Sequence, residues 1–283
     1  MKWENRGLSK NVEDRRARRA GGAGVPLGVG GTLLLLALSL FLGTDLFSLL
    51  GVSSPLGTAA ASWSVPGAEA TDDERAHFMS AVLDESQAMW AAIFAENDLV
   101  YEDAVLVLYE GAITSGCGYA PASSGPFYCP LDGRVYLDLA FYDVLRDRYG
   151  AAGDFAQAYV LAHEVGHHVQ NLLGTAAEVR QLQRAEPRYA NRLSVALELQ
   201  ADCYAGVYGR SVAERGGLER GDLEEGLSAA AAVGDDRLQR QATGQVNTET
   251  FTHGSSAQRM RWFGRGFETG DPSACDTFSG VDL

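Results

Sequence analysis

His163 and His167 stand four positions apart in "LAHEVGHHVQNLLG", residues 161–174, and about thirty residues later comes "ELQAD", residues 198–202. On a helix, side chains at i and i+4 lie one turn apart on the same face. Two imidazoles so placed can converge on one ion, and Glu164 between them is rotated beside that face. This is the physical content of the H-E-x-x-H pattern of zinc hydrolases. A catalytic zinc site needs three protein ligands and one open position, so a third group must come from elsewhere. "ELQAD" supplies it. Glu198 completes a His2Glu set, and Asp202, one turn on, can accept the second N–H of a ligand histidine. The fold must therefore bring the faces of two helices together. His168 points away from the ligand face and is expected to pack or to face solvent.

The motif helix is predicted to begin with Asp154 as N-cap and to stop near Gly174, with Phe155, Tyr159, Ala162 and Val169 near one another on its wheel. A polar connection follows, and Pro187 opens the helix that carries Glu198. Upstream, "TDDE" at 71–74 is a capping-box pattern that starts a helix running to about Ala95. "AVLVLY" (104–109) reads as a buried strand. "RVYLDL" (134–139) reads as a half-buried one, because Val135, Leu137 and Leu139 alternate with Tyr136 and Asp138. A short helix is expected in "FYDVLRDRYG".

The 283 residues carry a net charge of −14, which argues against general nucleic-acid binding. The charge is uneven. Residues 1–20 hold seven Lys and Arg against three acids, net +4, which leaves −18 to the rest. From Ala20 to Thr44 no residue is charged, and about 20 apolar residues suffice to span a bilayer as a helix. The basic flank comes first, so the positive-inside rule predicts a cytoplasmic N-terminus and an outer domain. Small-x-small sites at 58–61 and 68–70 lie well beyond the apolar run, which favours an uncleaved anchor over a signal peptide. The expected division is a basic cytoplasmic segment (1–20), a transmembrane anchor (21–44), a tether rich in small residues (45–70) and a catalytic domain (71–283).

Four cysteines, an even number in an exported chain, suggest disulfides. Cys117 and Cys129 bracket a Gly/Pro/Ser-rich loop that a bridge could staple, and Cys203 would then pair with Cys275. The alternatives are reduced thiols or a thiolate zinc site, although the chain contains no C-x-x-C.

"HEVGHHVQNLLG" and "ELQADCYAGV" resemble a bacterial family of neutral zinc metallopeptidases with a gluzincin-like site. "NVEDRR" (11–16), "GCG…GPFYCP" (116–130), "VYLDLAFYD" (135–143), "FTHGSSAQRMRWFGRGFETGD" (251–271) and "CDTF" after it are similar too. The resemblance implies an α+β, compact zincin-like domain, mainly helical with a small sheet, in which the strand containing "VYLDL" can form an edge of the substrate cleft. It also suggests Cys117–Cys129 as a natural pair.

The expected activity is that of a membrane-anchored zinc endopeptidase acting on peptide or protein substrates. Glu164 is the expected general base. His253 is the candidate donor to the oxyanion, or else a residue tying down the loop before the last helix. Arg259 and Tyr136 are further candidates for that donor. Two rival functions use the same ligand set: a zinc-binding envelope scaffold, and a hydrolase of a non-peptide amide in the cell envelope.

Overall fold

The computed structural model describes residues 1–16 and 71–279. Met1–Arg15 and Thr71–Leu283 form one compact unit. The apolar run and the tether lie outside the described residues, as do the anchor and tether boundaries expected within them. Among the described residues, no helix is long and apolar enough to cross a membrane.

The chain enters the fold as a strand, β1 (Val12–Asp14). Helix α1 (Asp72–Glu96) follows, with the expected box: the Thr71 hydroxyl accepts from Glu74 N–H, and the Glu74 carboxylate accepts from Thr71 N–H. β2 (Val105–Tyr109), the hairpin of β3 (Ile113–Ser115) and β4 (Gly118–Ala120), β5 (Phe127–Cys129) and β6 (Arg134–Asp138) come next. The main sheet has the order β1-β2-β6-β5. β1, β2 and β6 are parallel, and β5 runs antiparallel on the outer side of β6. Beyond it lie α2 (Phe141–Asp147), the motif helix α3 (Asp154–Leu172), α4 (Thr175–Ala185), α5 (Ala190–Glu214), α6 (Asp222–Ala232), α7 (Asp235–Thr243) and α8 (Ser256–Thr269).

Several expectations need correction. "RVYLDL" is not half-buried, since Val135 through Asp138 are all buried. Val135 and Leu137 enter the main core with Leu106 and Leu108, while Tyr136 packs on the other face with Val107, Tyr109 and Cys129. Alternation marked the two faces but not the cover on the second. This strand is not the edge of the sheet, because β5 pairs along it through Phe127↔Tyr136 and Cys129↔Arg134, but its end at Asp138 does border the cleft. The polar connection after Gly174 is the helix α4. Asp154 is the first helical residue and not the cap. The N-cap is Gly153, and Glu225 of α6 accepts the free N–H of Phe155.

Residues 1–15 do not stand apart as a basic segment. β1 pairs with β2 through Val12↔Leu106 and Asp14↔Leu108. Arg134 joins Glu13 in an ion pair, and the Met1 ammonium lies among Asp154, Glu219 and Asp222 near the start of α3. Both proposed disulfides are present, Cys117–Cys129 and Cys203–Cys275, with Cα separations of 5.8 and 5.6 Å.

Candidate metal centre and cleft

The two motif helices meet where their side chains are smallest. A Cβ on Gly166 of α3 would lie 3.1 Å from both the Cα and the carbonyl oxygen of Ala201 on α5. Gly166 sits between Glu164 and His167, and Ala201 between Glu198 and Asp202. Glycine thus permits the close approach at the level where the two halves of the site must join. The Nε2 of His163 lies 3.2 Å from one Glu198 oxygen, and the Nε2 of His167 lies 3.5 Å from the other. Ligand-capable atoms of His163, His167 and Glu198 all fall within 4.8 Å of one another.

The rings are oriented from behind. His163 donates its Nδ1–H to Asp202 at 2.9 Å, and His167 donates its Nδ1–H to Gln170 Oε1 at 2.8 Å. Each hydrogen bond leaves an Nε2 lone pair aimed at the centre. Asp202 is fully buried and is satisfied by its neighbours. It accepts from Tyr159 Oη, from Arg259 Nε at 2.8 Å and from Arg259 Nη2 at 2.9 Å. Arg259 is placed by the packing of α8 on α5. A Cβ on Gly266 would lie 1.9 Å from the Cys203 carbonyl oxygen, so the two helices touch backbone to backbone.

Electrostatics point the same way. Burial opposes a charge on His163, but Asp202 and Glu198 outweigh it and push the imidazole up to about 9. Burial raises the Glu198 carboxyl, yet His167 and His163 hold it well below the ordinary carboxylate range. The cluster favours positive charge at its centre, whether proton or metal ion. Two imidazoles held as Nδ1–H tautomers and one carboxylate form a donor set that suits zinc, and the convergence of their atoms fits one ion.

The centre opens on a cleft of roughly 750 Å³ lined by His163, Glu164, His167, Glu198, His253 and Arg259. Glu164 is 8% exposed on this wall. His253 reaches it from the loop before α8. The ring's Nδ1 lies 3.2 Å from Asp235 and 3.0 Å from Thr252 Oγ1, which leaves Nε2 to offer to a substrate. Ser255 and Gln258 form the predicted capping box at the start of α8. Edge strand β5 also borders the cleft through Phe127 and Tyr128.

Two oxyanion candidates change place. Tyr136 donates to Asp132 at 2.7 Å and sits on the far face of the sheet, away from the cleft. Arg259 lines the cleft, but its guanidinium is 4% exposed and engaged with Asp202. His168 packs and does not face solvent. Its Nε2–H donates to the Glu102 carbonyl at 2.7 Å, and its Nδ1 accepts from Tyr128 Oη at 3.0 Å. Asn171 also donates to Tyr128 Oη, so the back of the motif helix grips the edge strand. The sequence does not single out Gln170 or Asp235, and it marks Tyr159 only as a residue on the packed side of the motif helix. Gln170 and Tyr159 lie at helical offsets of +3 and −4 from His167 and His163, which is a weak signal that becomes meaningful only once the rings are oriented.

Residues 1–278 match the family described as "Putative neutral zinc metallopeptidase". The chain belongs to this family. It is similar to the uncharacterized protein YpfJ of Escherichia coli K12, with 48% identity over 98% of this chain and 99% of the relative. It is also similar to the uncharacterized protein Rv2575 of Mycobacterium tuberculosis H37Rv, with 49% identity over 62% of each chain. No solved structure matches it. The family match begins at residue 1 and so takes in β1 as well as both halves of the metal centre.

Proposed function

We propose that this chain is a zinc-dependent endopeptidase whose ligands are His163, His167 and Glu198 and whose general base is Glu164. The observation that carries the reading is the convergence of three ligand atoms within 4.8 Å on the wall of a cleft that Glu164 shares. Bound zinc supplies Lewis acidity and lowers the pKa of water towards about 7. Glu164 then accepts a proton from the attacking water and returns it to the leaving amine. His253, oriented by Asp235, donates from Nε2 to the oxygen of the carbonyl under attack as charge develops there. Asp202 and Gln170 keep both histidines in the tautomer that presents Nε2. The test is metal content and hydrolysis of a defined peptide library, with and without a chelator. A protein that binds about one zinc per chain and cleaves no peptide in the library would sink the reading.

The reading includes a location. Residues 1–15 and 71–283 share one oxidising compartment, held near a membrane by the uncharged run. A single crossing within residues 21–44 would put β1 and β2 on opposite sides of the bilayer, and a hydrogen-bonded strand pair cannot be so divided. On this reading residues 1–20 lie on the same side as the domain and not in the cytoplasm. The two disulfides support the oxidising side. Lys2 and Lys10 are the only lysines in the chain, and the Lys10 side chain is 85% exposed. A membrane-impermeant amine reagent applied to intact cells, or to cells stripped of an outer membrane, should label Lys10. A protected Lys10 beside a domain that external protease digests would restore the single crossing.

A further inference from the structure

The amide of Gln170 touches more of the site than its distance from the cleft suggests. It is fully buried. Its Oε1 accepts from His167 Nδ1 at 2.8 Å. Its Nε2 donates to the Leu197 carbonyl at 2.7 Å and to Gln200 Oε1 at 3.1 Å. Leu197 precedes Glu198, so one side chain ties the ring of one expected ligand to the backbone beside another. Each partner also fixes the direction of the amide, because the Leu197 carbonyl can only accept and the His167 Nδ1–H can only donate.

The chain of hydrogen bonds continues away from the cleft. Gln200 Nε2 donates to the Cys275 carbonyl at 3.1 Å. That carbonyl belongs to a segment fastened to α5 by the Cys203–Cys275 disulfide, while Thr277 Oγ1 donates to the Ala196 carbonyl at 2.6 Å. The disulfide therefore holds the last acceptor of a series running His167, Gln170, Gln200, Cys275. Without it, the acceptor of Gln200 is held less firmly, and so is one of the three groups that fix the Gln170 amide. Buried amides are costly to leave half-satisfied, so a change at one end is felt along the series.

We propose that Gln170 is the positioning residue for His167, and that the Gln170–Gln200 pair couples metal affinity to the Cys203–Cys275 disulfide. The proposal rests on the metal-site reading above, and the two fail separately. If the parent protein takes up no zinc, that reading falls. If the parent binds zinc and the variants bind it equally well, only the coupling falls.

The test is zinc affinity of the full chain, measured by competition with a chromophoric chelator, with folding followed by circular dichroism. Gln170→Met keeps the volume and removes both polar atoms, and it should weaken zinc binding about 10–100-fold, the usual cost of losing such an outer partner. Gln170→Glu keeps the acceptor for Nδ1–H but turns a carboxylate oxygen towards the Leu197 carbonyl and Gln200 Oε1, so it should weaken binding by about 3–10-fold, less than Gln170→Met. Gln200→Met and the paired change Cys203→Ser/Cys275→Ser should each weaken binding by about 3–10-fold, less than the direct partner. Cys117→Ser/Cys129→Ser, remote from this series, should leave affinity unchanged. An affinity for Gln170→Met within about twofold of the parent overturns the positioning role. Should Gln170→Met not fold, Gln170→Leu, which also removes both polar atoms, decides, and an affinity there within about twofold of the parent overturns it. Unchanged affinity in both Gln200→Met and the Cys203→Ser/Cys275→Ser protein overturns the coupling to the disulfide.

Discussion

Asp235 holds His253 twice: one carboxylate oxygen accepts the backbone N–H of His253 at 2.7 Å, and the other lies 3.2 Å from its ring Nδ1. The first oxygen also accepts the N–H groups of Thr252 and Gly254, so a single side chain fixes both the loop and the imidazole on it. A residue that served only to tie down the loop would not need its ring fixed towards the cleft. His253→Ala should therefore lower kcat by about 10²–10³ while zinc stays bound, the usual cost of one oxyanion donor. Asp235→Asn should lower it less, since the ring remains but its orientation loosens. Steady-state kinetics beside metal analysis checks both, and an unchanged kcat in His253→Ala returns the residue to a structural role.

The same pair predicts a pH dependence of stability. The hydrogen bond from Asp235 raises the His253 pKa above its ordinary 6.5. A raised value contributes stability that is fully present below the unfolded pKa and is lost as pH rises through the folded one. Burial raises the Asp235 carboxyl, but His253 and the backbone donors bring it below 3.8, so its contribution is present above 3.8 and fades as pH falls through the folded value. The pair is thus fully effective between about pH 4 and 6.5. The His253 side chain is half exposed, which keeps the effect small. His253→Ala should cost about 1–3 °C more in Tm at pH 5.5 than at pH 9. Thermal melts at the two pH values decide it, and an equal cost at both removes the ion pair from the account.

Much of the metal centre was legible because helical spacing is rigid. Once His163 and His167 are four apart and Glu198 and Asp202 are four apart, the faces follow from 3.6 residues per turn. That spacing, with the motif, points to the convergence of His163, His167 and Glu198 and to Asp202 behind His163. The edge of the sheet was not legible, because β5 has only three residues and its pairing with β6 depends on the loop that Cys117–Cys129 staples. β1 was missed for a similar reason. "NVEDRR" carries too few apolar residues to mark a strand, and its partner β2 lies some ninety residues away. Asp235 could not be read as the partner of His253, since its three backbone contacts depend on a loop conformation that no periodicity encodes.

The contact between α5 and α8 predicts a strong effect from a small change. Gly206 and Gly266 face each other's helices, and a Cβ on Gly206 would lie 2.1 Å from the Phe263 carbonyl oxygen. Arg259 is carried by α8 and Asp202 by α5, so a shift between the two helices strains their ion pair. Gly266→Ala should destabilise the domain by about 1–3 kcal/mol or more, as overpacked cores do. It should also weaken zinc binding through the loosened Asp202. Denaturant unfolding and chelator competition measure the two losses. A variant as stable as the parent would mean that the helices separate without cost and that the close approach has no part in building the site.

The assignments within "HEVGHH" separate by substitution. His163, His167 and Glu198 bring their ligand atoms together, so changing any one to Ala should remove zinc and activity at once. Glu164 lines the same cleft without belonging to that set, and Glu164→Gln keeps its shape while removing the proton acceptor. That variant should retain about one zinc per chain and lose at least about 10²-fold in kcat. His168 is turned away from the ligand set to bond Tyr128 and Glu102, so His168→Ala should keep the metal. It should nonetheless lower stability by about 1–3 kcal/mol, because the buried imidazole is lost and the Tyr128 hydroxyl and Glu102 carbonyl each lose a partner. Metal analysis, turnover and unfolding on the five proteins distinguish the roles. Loss of zinc from Glu164→Gln, or from His168→Ala but not His167→Ala, would show that the helix presents a different face to the cleft.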